Sequence, residues 1–289
     1  MYHGDVMGDT ISVAVEDGSV VGVCFLMETS SYRARDPKYP GYLNMEYAAL
    51  SDENEVKNSE LLIETLIDEY HRIREEKKDG RLILRTFCSS ASFDYLDFLS
   101  SFGFRAESFM FRMRKELGRA PAKDSDGSFS FEVGLPDRSM ETISVSAVKA
   151  GSDGSMSGME GYFEANGRAF GIPDSEPDLL YKMREQNGIQ FIARSGSVIV
   201  AAVSVWENNP GSVSTENIFC EEKYRRLGIT EKLLSGVLDC LSGIGYREAT
   251  LFVYGVNTYA VALYTKLGYS IYGGILHMNY EDGYVPELV

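Results

Sequence analysis

The chain has 289 residues, 44% hydrophobic and 25% charged, with 43 acidic against 28 basic side chains and a formal net charge of −15. That composition is globular rather than disordered. No apolar run reaches the ~18 residues that a membrane-spanning helix requires. The N-terminal stretch from Met1 to Ala14 carries acids where a secretory leader would carry bases, so a cytoplasmic protein with no membrane partner is expected. Lys and Arg are scattered, which disfavours nucleic acid as a partner, and the acidic field favours cationic ligands. Cys24, Cys88, Cys220 and Cys240 show no C-x-x-C spacing and read as buried thiols. His3, His71 and His277 are far apart, so neither a metal site nor a Ser-His-Asp triad is expected.

In chain order, Ile11 to Val15 and Val20 to Met27 are β-branched runs joined by Asp17-Gly18, a hairpin signal. Tyr42 to Leu50 reads as a third strand. From Ser59 to Lys77, Leu62, Ile63, Leu66, Ile67, Tyr70 and Ile73 recur at helical spacing, with Gly80 as a stop. A strand over Leu82 to Phe87, a helix over Phe93 to Phe102 and a strand over Arg105 to Arg114 follow. The polar stretch from Gly118 to Ser128 reads as a linker. Beyond it, Ile143 to Val148 is a strand, and Met159 to Phe170 and Asp178 to Gln186 look helical. Ile189 to Ala193 and Val198 to Val205 form a hairpin, and Ser212 to Cys220 is a strand. Then come a helix from about Gly228 to Leu241, the strand Ala249 to Tyr254, the helix Thr258 to Leu267 and the strand Ser270 to Tyr280.

The halves repeat this order. Gly18-Ser-Val-Val parallels Gly196-Ser-Val-Ile, and Leu99-Ser-Ser-Phe-Gly103-Phe parallels Tyr264-Thr-Lys-Leu-Gly268-Tyr. The first copy lacks the leading strand and two helices of the second. Domains are therefore expected over residues 1–125 and 126–289.

The segment that carries chemistry is Ile218-Phe219-Cys220-Glu-Glu-Lys-Tyr-Arg225-Arg226-Leu227-Gly228-Ile229-Thr230. A strand ends, the chain turns, and a helix begins at a glycine after two arginines. Amides at the positive end of a helix dipole make a cradle for a diphosphate. Gly228 allows close backbone approach, and Arg225 and Arg226 add charge-assisted bonds. On this segment alone, an ordinary strand–turn–helix with solvated arginines fits as well.

A second segment follows downstream: Leu251-x-Val253-x-x-x-Asn257-x-x-Ala260-x-x-Leu263-Tyr264-x-x-x-Gly268-Tyr269. Together the two resemble the GNAT superfamily of N-acetyltransferases. The family's loop reads Gln/Arg-x-x-Gly-x-Gly/Ala, here Arg225, Gly228 and Thr230. Its second motif, Asn-x-x-Ala-x-x-Leu-Tyr-x-x-x-Gly-Phe/Tyr, is matched at every named position. The resemblance implies an α+β fold, an α/β/α sandwich, in two tandem GNAT-like domains, each a mixed, mostly antiparallel sheet flanked by helices. It further implies acetyl-CoA as co-substrate, no metal, and direct attack of an amine on the thioester. Ile218, Phe219 and Cys220 would hold the pantetheine arm, and the amides from Arg226 through Leu227, Gly228, Ile229 and Thr230 to Glu231 the pyrophosphate. Asn257 would bond the pantetheine or position its neighbours, and Tyr264 would reprotonate the CoA thiolate. The same tyrosine would also serve as packing against the sheet.

The attacking amine must first lose a proton. Glu216, on the strand before the loop, is the candidate base; a solvent-facing strand carboxylate is its plainer role. Relatives acting on protein N-termini often carry Glu five positions before the Asn, where this chain has Phe252, so a small-molecule amine is the expected acceptor. Thr230 departs from the family's Gly/Ala, and its branched side chain crowds a phosphate or bonds one. In the first copy the loop's counterpart is Glu55-Val-Lys-Asn58-Ser-Glu60, without glycine, and Leu99 and Ser92 stand for Tyr264 and Asn257. That copy is expected not to bind acetyl-CoA.

Overall fold

The structure is a computed structural model that describes residues 5–6, 11–28, 41–51, 53–77, 82–118, 127–171 and 173–280. It contains strands β1 (Asp5–Val6), β2 (Ser12–Glu16), β3 (Ser19–Glu28), β4 (Tyr42–Ala49), β5 (Ile83–Ser89), β6 (Phe104–Glu116), β7 (Phe129–Gly134), β8 (Met140–Val148), β9 (Ile189–Ser195), β10 (Val198–Asn209), β11 (Ser212–Cys220), β12 (Glu248–Tyr254) and β13 (Ser270–Tyr280). The helices are α1 (Glu55–Lys77), α2 (Phe93–Ser101), α3 (Tyr162–Phe170), α4 (Glu176–Glu185), α5 (Ile229–Gly243) and α6 (Thr258–Lys266). Gly80 lies outside the described residues, as does most of the expected linker.

Two compact units result, one of residues 1–110 with 274–289 and the other of residues 111–273. This division differs from the expected boundary at 125/126. The long strands β6 and β13 are each divided between the units. A strand bonds to whichever sheet edge it meets, so sequence order alone cannot assign it.

In the first unit the strand order is β1–β3–β4–β5–β13–β6, with β2 on β3. Strands β1, β2 and β4 pair antiparallel with β3, β5 pairs antiparallel with β13, and β4 pairs parallel with β5. The β2–β3 turn sits on Asp17 (φ 49°) and Gly18 (φ 80°), as its Asp-Gly sequence requires. Helices α1 and α2 cover one face. Cys24, Leu26, Leu43, Met45, Leu84 and Met278 alternate along their strands and meet Leu62, Ile63, Leu66, Tyr70 and Leu99 of the helices. Among the described residues, nothing helical precedes β2.

In the second unit the order is β6–β12–β11–β10–β9–β8–β7, with β7 to β11 paired antiparallel and β11 with β12 parallel. Here both faces are covered. Ile189, Phe191, Val203, Val213 and Leu251 pack on Leu233, Leu234, Val237 and Leu238 of α5 and on Tyr264 of α6. Ile192, Ala202, Trp206 and Phe219 pack on Tyr162, Ala165, Leu179 and Met183 of α3 and α4. Strand β7 was not expected. It pairs along β8, and its Phe129 ring lies against Gly236 of α5, leaving no room for a β-carbon there.

The element order strand–strand–helix–strand–helix–strand recurs between the units. So do the left-handed glycines after the last helix, Gly103 (φ 92°) and Gly268 (φ 89°). The fold class is as the sequence implies: α+β, with mostly antiparallel sheets flanked by helices.

Candidate functional site

Strands β11 and β12 are hydrogen-bonded in parallel over Ser212↔Glu248, Val213↔Ala249 and Ser214↔Thr250, and no pair follows. The last tie across the gap is the Thr215 hydroxyl, which donates to the Thr250 carbonyl at 3.2 Å. On its other side β11 keeps its partners, Ala202↔Phe219 and Ala201↔Cys220. The β11 edge facing β12 is thus left open over its C-terminal half.

A bulge coincides with the parting. Ser204 faces Glu216 and Ala202 faces Phe219, so Asn217 and Ile218 together oppose one residue. Asn217 is left-handed (φ 46°), a conformation that asparagine tolerates better than most side chains. Such a bulge bends the strand and strengthens its twist.

At the end of β11 the chain runs through a 3-10 turn over Glu222–Tyr224. Arg226 (φ 67°) and Gly228 (φ 76°) then turn it into α5. Gly228 is the N-cap and supplies no side-chain hydrogen bond. The Lys232 amide bonds back to the Gly228 carbonyl, while the amides of residues 226–231 have no partner among the described residues. A β-carbon at Gly228 would meet nothing within 4 Å, so the space in front of that residue is open. This donor set fits a diphosphate.

The other expected residues fall as follows. Phe219 and Ile229 bury their side chains in the two cores and offer only backbone to the gap, and Ile218 is half-buried. The Arg225 Nε donates to the Cys220 carbonyl at 3.2 Å, so that nitrogen braces the loop from within. Thr230 turns its hydroxyl to the Cys220 sulfur, whose thiol is pushed up mainly by burial; its branched side chain is turned into the protein. Glu231 is ion-paired with Lys266 at 2.7 Å. Asn257 is the N-cap of α6, its Oδ1 accepting from the Ala260 amide at 3.2 Å; it positions the helix that carries Tyr264. Tyr264 is buried at 8% exposure, edge-on to Tyr269 with centroids 6.0 Å apart. Burial pushes its phenol up to about 12.

Glu216 is half-exposed on the α3/α4 face of the sheet. It accepts from the Ser214 hydroxyl at 2.8 Å, and the Lys182 ammonium stands 3.8 Å away, over the Trp206 ring. Beside it lies a cluster that no sequence motif announces. Asp174, between α3 and α4, accepts through Oδ2 from the Tyr162 hydroxyl (2.9 Å), Asn166 Nδ2 (3.0 Å) and Asn217 Nδ2 (3.1 Å). Burial raises the Asp174 carboxyl above the usual range. The one available signal was Asn217 itself, a residue type depleted in strands within an otherwise β-prone run.

In the first unit, β4 and β5 also part after three parallel pairs, ending at Asn44↔Arg85. There Tyr47 of β4 and Tyr95 of α2 stand on the helix-covered face with ring centroids 6.3 Å apart, their hydroxyls hydrogen-bonded. Residues 55–60, expected to form a loop, are the first turns of α1, because they lack the left-handed glycine that delays α5. Ser92 is the N-cap of α2, and Leu99 is fully buried.

Among the described residues no helix is long and apolar enough to cross a membrane, and no cluster of three or more His, Cys, Asp or Glu side chains could hold a metal.

The acetyltransferase (GNAT) family model matches residues 159–269, the span from the turn before α3 to the end of the second motif. No curated protein matches the chain. Among solved structures, a GCN5-related N-acetyltransferase from Sphaerobacter thermophilus aligns with TM-score 0.64 at 17% identity, over 95% of this chain and 81% of that one. A GNAT-family acetyltransferase from Colwellia psychrerythraea aligns with TM-score 0.55 at 13% identity, over 93% and 84%. A tandem GNAT protein from the clavulanic acid biosynthesis pathway aligns with TM-score 0.54 at 10% identity, over 95% and 83%. These identities establish shared fold alone. The family match makes residues 159–269 an acetyltransferase (GNAT) family domain, within a chain that shares the fold of these solved structures.

Proposed function

We propose that the second unit transfers the acetyl group of acetyl-CoA to the primary amine of a small molecule, and that the first unit takes no coenzyme. The observation that carries this reading is a coincidence in space: β11 parts from β12 where the chain runs on to the uncapped start of α5. The open edge of β11 from Glu216 to Cys220 offers main-chain partners to the amides of a pantetheine arm. The free amides of residues 226–231 suit a diphosphate, with Arg226 as the cation beside them. Acetyl-CoA supplies an activated acyl group when bound.

The residues of the chain then divide the proton chemistry. Tyr264 stays protonated far above neutral pH and donates a hydrogen bond to the departing thiolate. Glu216 takes up the proton that the attacking amine must lose, with Ser214 orienting the carboxylate. Two carboxylates beside the gap, Glu216 and Asp174, and a chain charge of −15 favour an acceptor that arrives as a cation. In the first unit, the Tyr47 and Tyr95 rings at the parting strands, Leu99 in place of Tyr264 and Glu55 in the first turn of α1 all weigh against coenzyme binding. The four cysteines form no disulfide, which supports a reducing compartment such as the cytoplasm.

Calorimetry of the full chain with CoA tests the binding, with one site per chain expected. Thiol release from acetyl-CoA across polyamines, amino sugars, amino acids and lysine peptides tests the transfer. Absence of heat, or two equivalent sites, overturns the reading, and turnover confined to lysine peptides overturns the small-molecule acceptor.

A further inference from the structure

We propose that Asp174 is a positioning residue, a clamp whose Oδ2 holds the β11 bulge in the left-handed conformation that parts β11 from β12. It rests on the coenzyme reading above for its consequence, though not for its geometry. Asn217 is the only residue of β11 with positive φ among those described, and its side chain is tied to Asp174 at 3.1 Å. The same carboxylate oxygen takes the Tyr162 hydroxyl and Asn166 Nδ2, and the Asp174 amide donates to Asn166 Oδ1 at 2.8 Å. Two donors and a backbone tie therefore hold Asp174 to α3 before it reaches across to the strand.

The anchor is itself rooted in the core. Tyr162 and Asn166 are fully buried. The Tyr162 hydroxyl also meets the Ser204 side chain, and Ser204 donates to Gln190 Oε1 at 2.8 Å. Gln190 is fully buried too, with Nε2 unpartnered. A polar chain thus runs from β9 through β10 and α3 to the bulge, in a face otherwise packed with Ile192, Ala202, Trp206 and Phe219. An apolar α3–α4 seam would pack as well without it, so its use lies in fixing one conformation of β11. The charged groups facing Asp174 are Lys182 and Asp178 of α4.

Four variants of the full chain test this: Asp174→Ala, Asp174→Asn, Asn217→Gly and Asn217→Ala. Amide hydrogen exchange over residues 215–220 reads the clamp in the coenzyme-free protein, and calorimetry with CoA reads its consequence. Loss of a hydrogen bond to a buried carboxylate should raise exchange in β11 by ~10-fold or more in Asp174→Ala and weaken CoA by a similar factor. Asn217→Gly keeps access to positive φ but loses the tie, so it should behave like Asp174→Ala. Asn217→Ala loses both and should be worse. Asp174→Asn keeps an oxygen for the three donors and should stay within ~3-fold of the parent. Unchanged β11 exchange in Asp174→Ala and Asn217→Gly overturns the clamp. Asp174→Asn losing turnover as fully as Asp174→Ala, with CoA affinity intact in both, also overturns it and makes Asp174 a proton acceptor for the amine. If the parent binds no CoA while exchange responds as stated, the coenzyme reading fails and the clamp stands.

Discussion

Tyr264→Phe is the sharpest perturbation of the proposed chemistry, because it removes one oxygen and leaves the ring against Tyr269. The side chain is 8% exposed, and its phenol is pushed up to about 12 by burial. An ordinary thiol titrates near ~8.5, so complete proton transfer from this phenol to a thiolate is uphill by ~5 kcal/mol. In the proposed reaction Tyr264 would therefore act as a hydrogen-bond donor to a developing negative charge, an interaction of ~1.5–3 kcal/mol. The expected result is a fall in kcat of ~10- to 100-fold with KM for acetyl-CoA little changed. Thiol release at saturating acetyl-CoA measures it. The same number fixes the pH dependence: a phenol that stays protonated to about pH 12 puts no falling limb on kcat between pH 8 and 10. Full activity in Tyr264→Phe, or a basic limb near pH 9 that vanishes with the hydroxyl, would refute the assignment.

Gly228→Val places a β-branched side chain at φ 76° in front of the free amides, and should weaken CoA by ~10-fold or more in calorimetry while Tm falls only slightly. Gly236→Ala drives a β-carbon to within 2.3 Å of the Phe129 ring; overpacking should cost ~1–3 kcal/mol in denaturant unfolding, and Phe129→Ala should relieve part of that clash. Burial raises the phenols of Tyr162, Tyr264 and Tyr269. A group whose folded pKa lies above its unfolded one contributes stability that is whole below pH 10 and is lost as pH rises through the folded value. Alkaline unfolding should accordingly begin above pH 10, followed by phenolate absorbance. Burial raises the Asp174 carboxyl as well, so its ionised form is held less well by the folded protein than by water, and Asp174→Asn should hold or raise Tm where Asp174→Ala lowers it.

Most of the elements were legible from periodicity. The α1 face of Leu62, Ile63, Leu66, Tyr70 and Ile73 is the buried face, and Asp17-Gly18 turns where its backbone preference requires. The β13 strand spans the residues expected of it. Strand β7 escaped because Phe129-Ser-Phe-Glu-Val-Gly134 is short and follows a polar stretch; its partner β8 is what makes it a strand. The division of β6 and β13 between units escaped for a related reason, since lateral pairing is long-range. At the candidate site, the loop and Tyr264 announce themselves because their chemistry needs fixed spacing along the chain. Asp174, Asn166 and Asn217 do not, because three elements bring them together in space and any polar donor or acceptor of similar reach would do.

Under the proposed reading, a parted pair of strands is not by itself a coenzyme site. Both β4/β5 and β11/β12 separate after three parallel pairs, so strand geometry does not distinguish them. What differs is the start of the next helix. In α5 a left-handed glycine is the N-cap and brings no side-chain hydrogen bond, a state that forgoes roughly a few tenths of a kcal/mol against a Ser or Asp cap and leaves amides which an anion can take up. In α1 the Ser51 hydroxyl donates to Glu55 Oε2 at 2.9 Å, and a carboxylate already occupies the positive end of the helix. The Tyr47 and Tyr95 pair then stands where the strands open. On that reading, giving the first unit a coenzyme site would require removing both rings and the first-turn acid together, since each alone would oppose a diphosphate or its tether. Single variants such as Tyr47→Ala should therefore leave calorimetric stoichiometry at one CoA per chain, and a second site appearing on that one change would show that the helix start is not what decides.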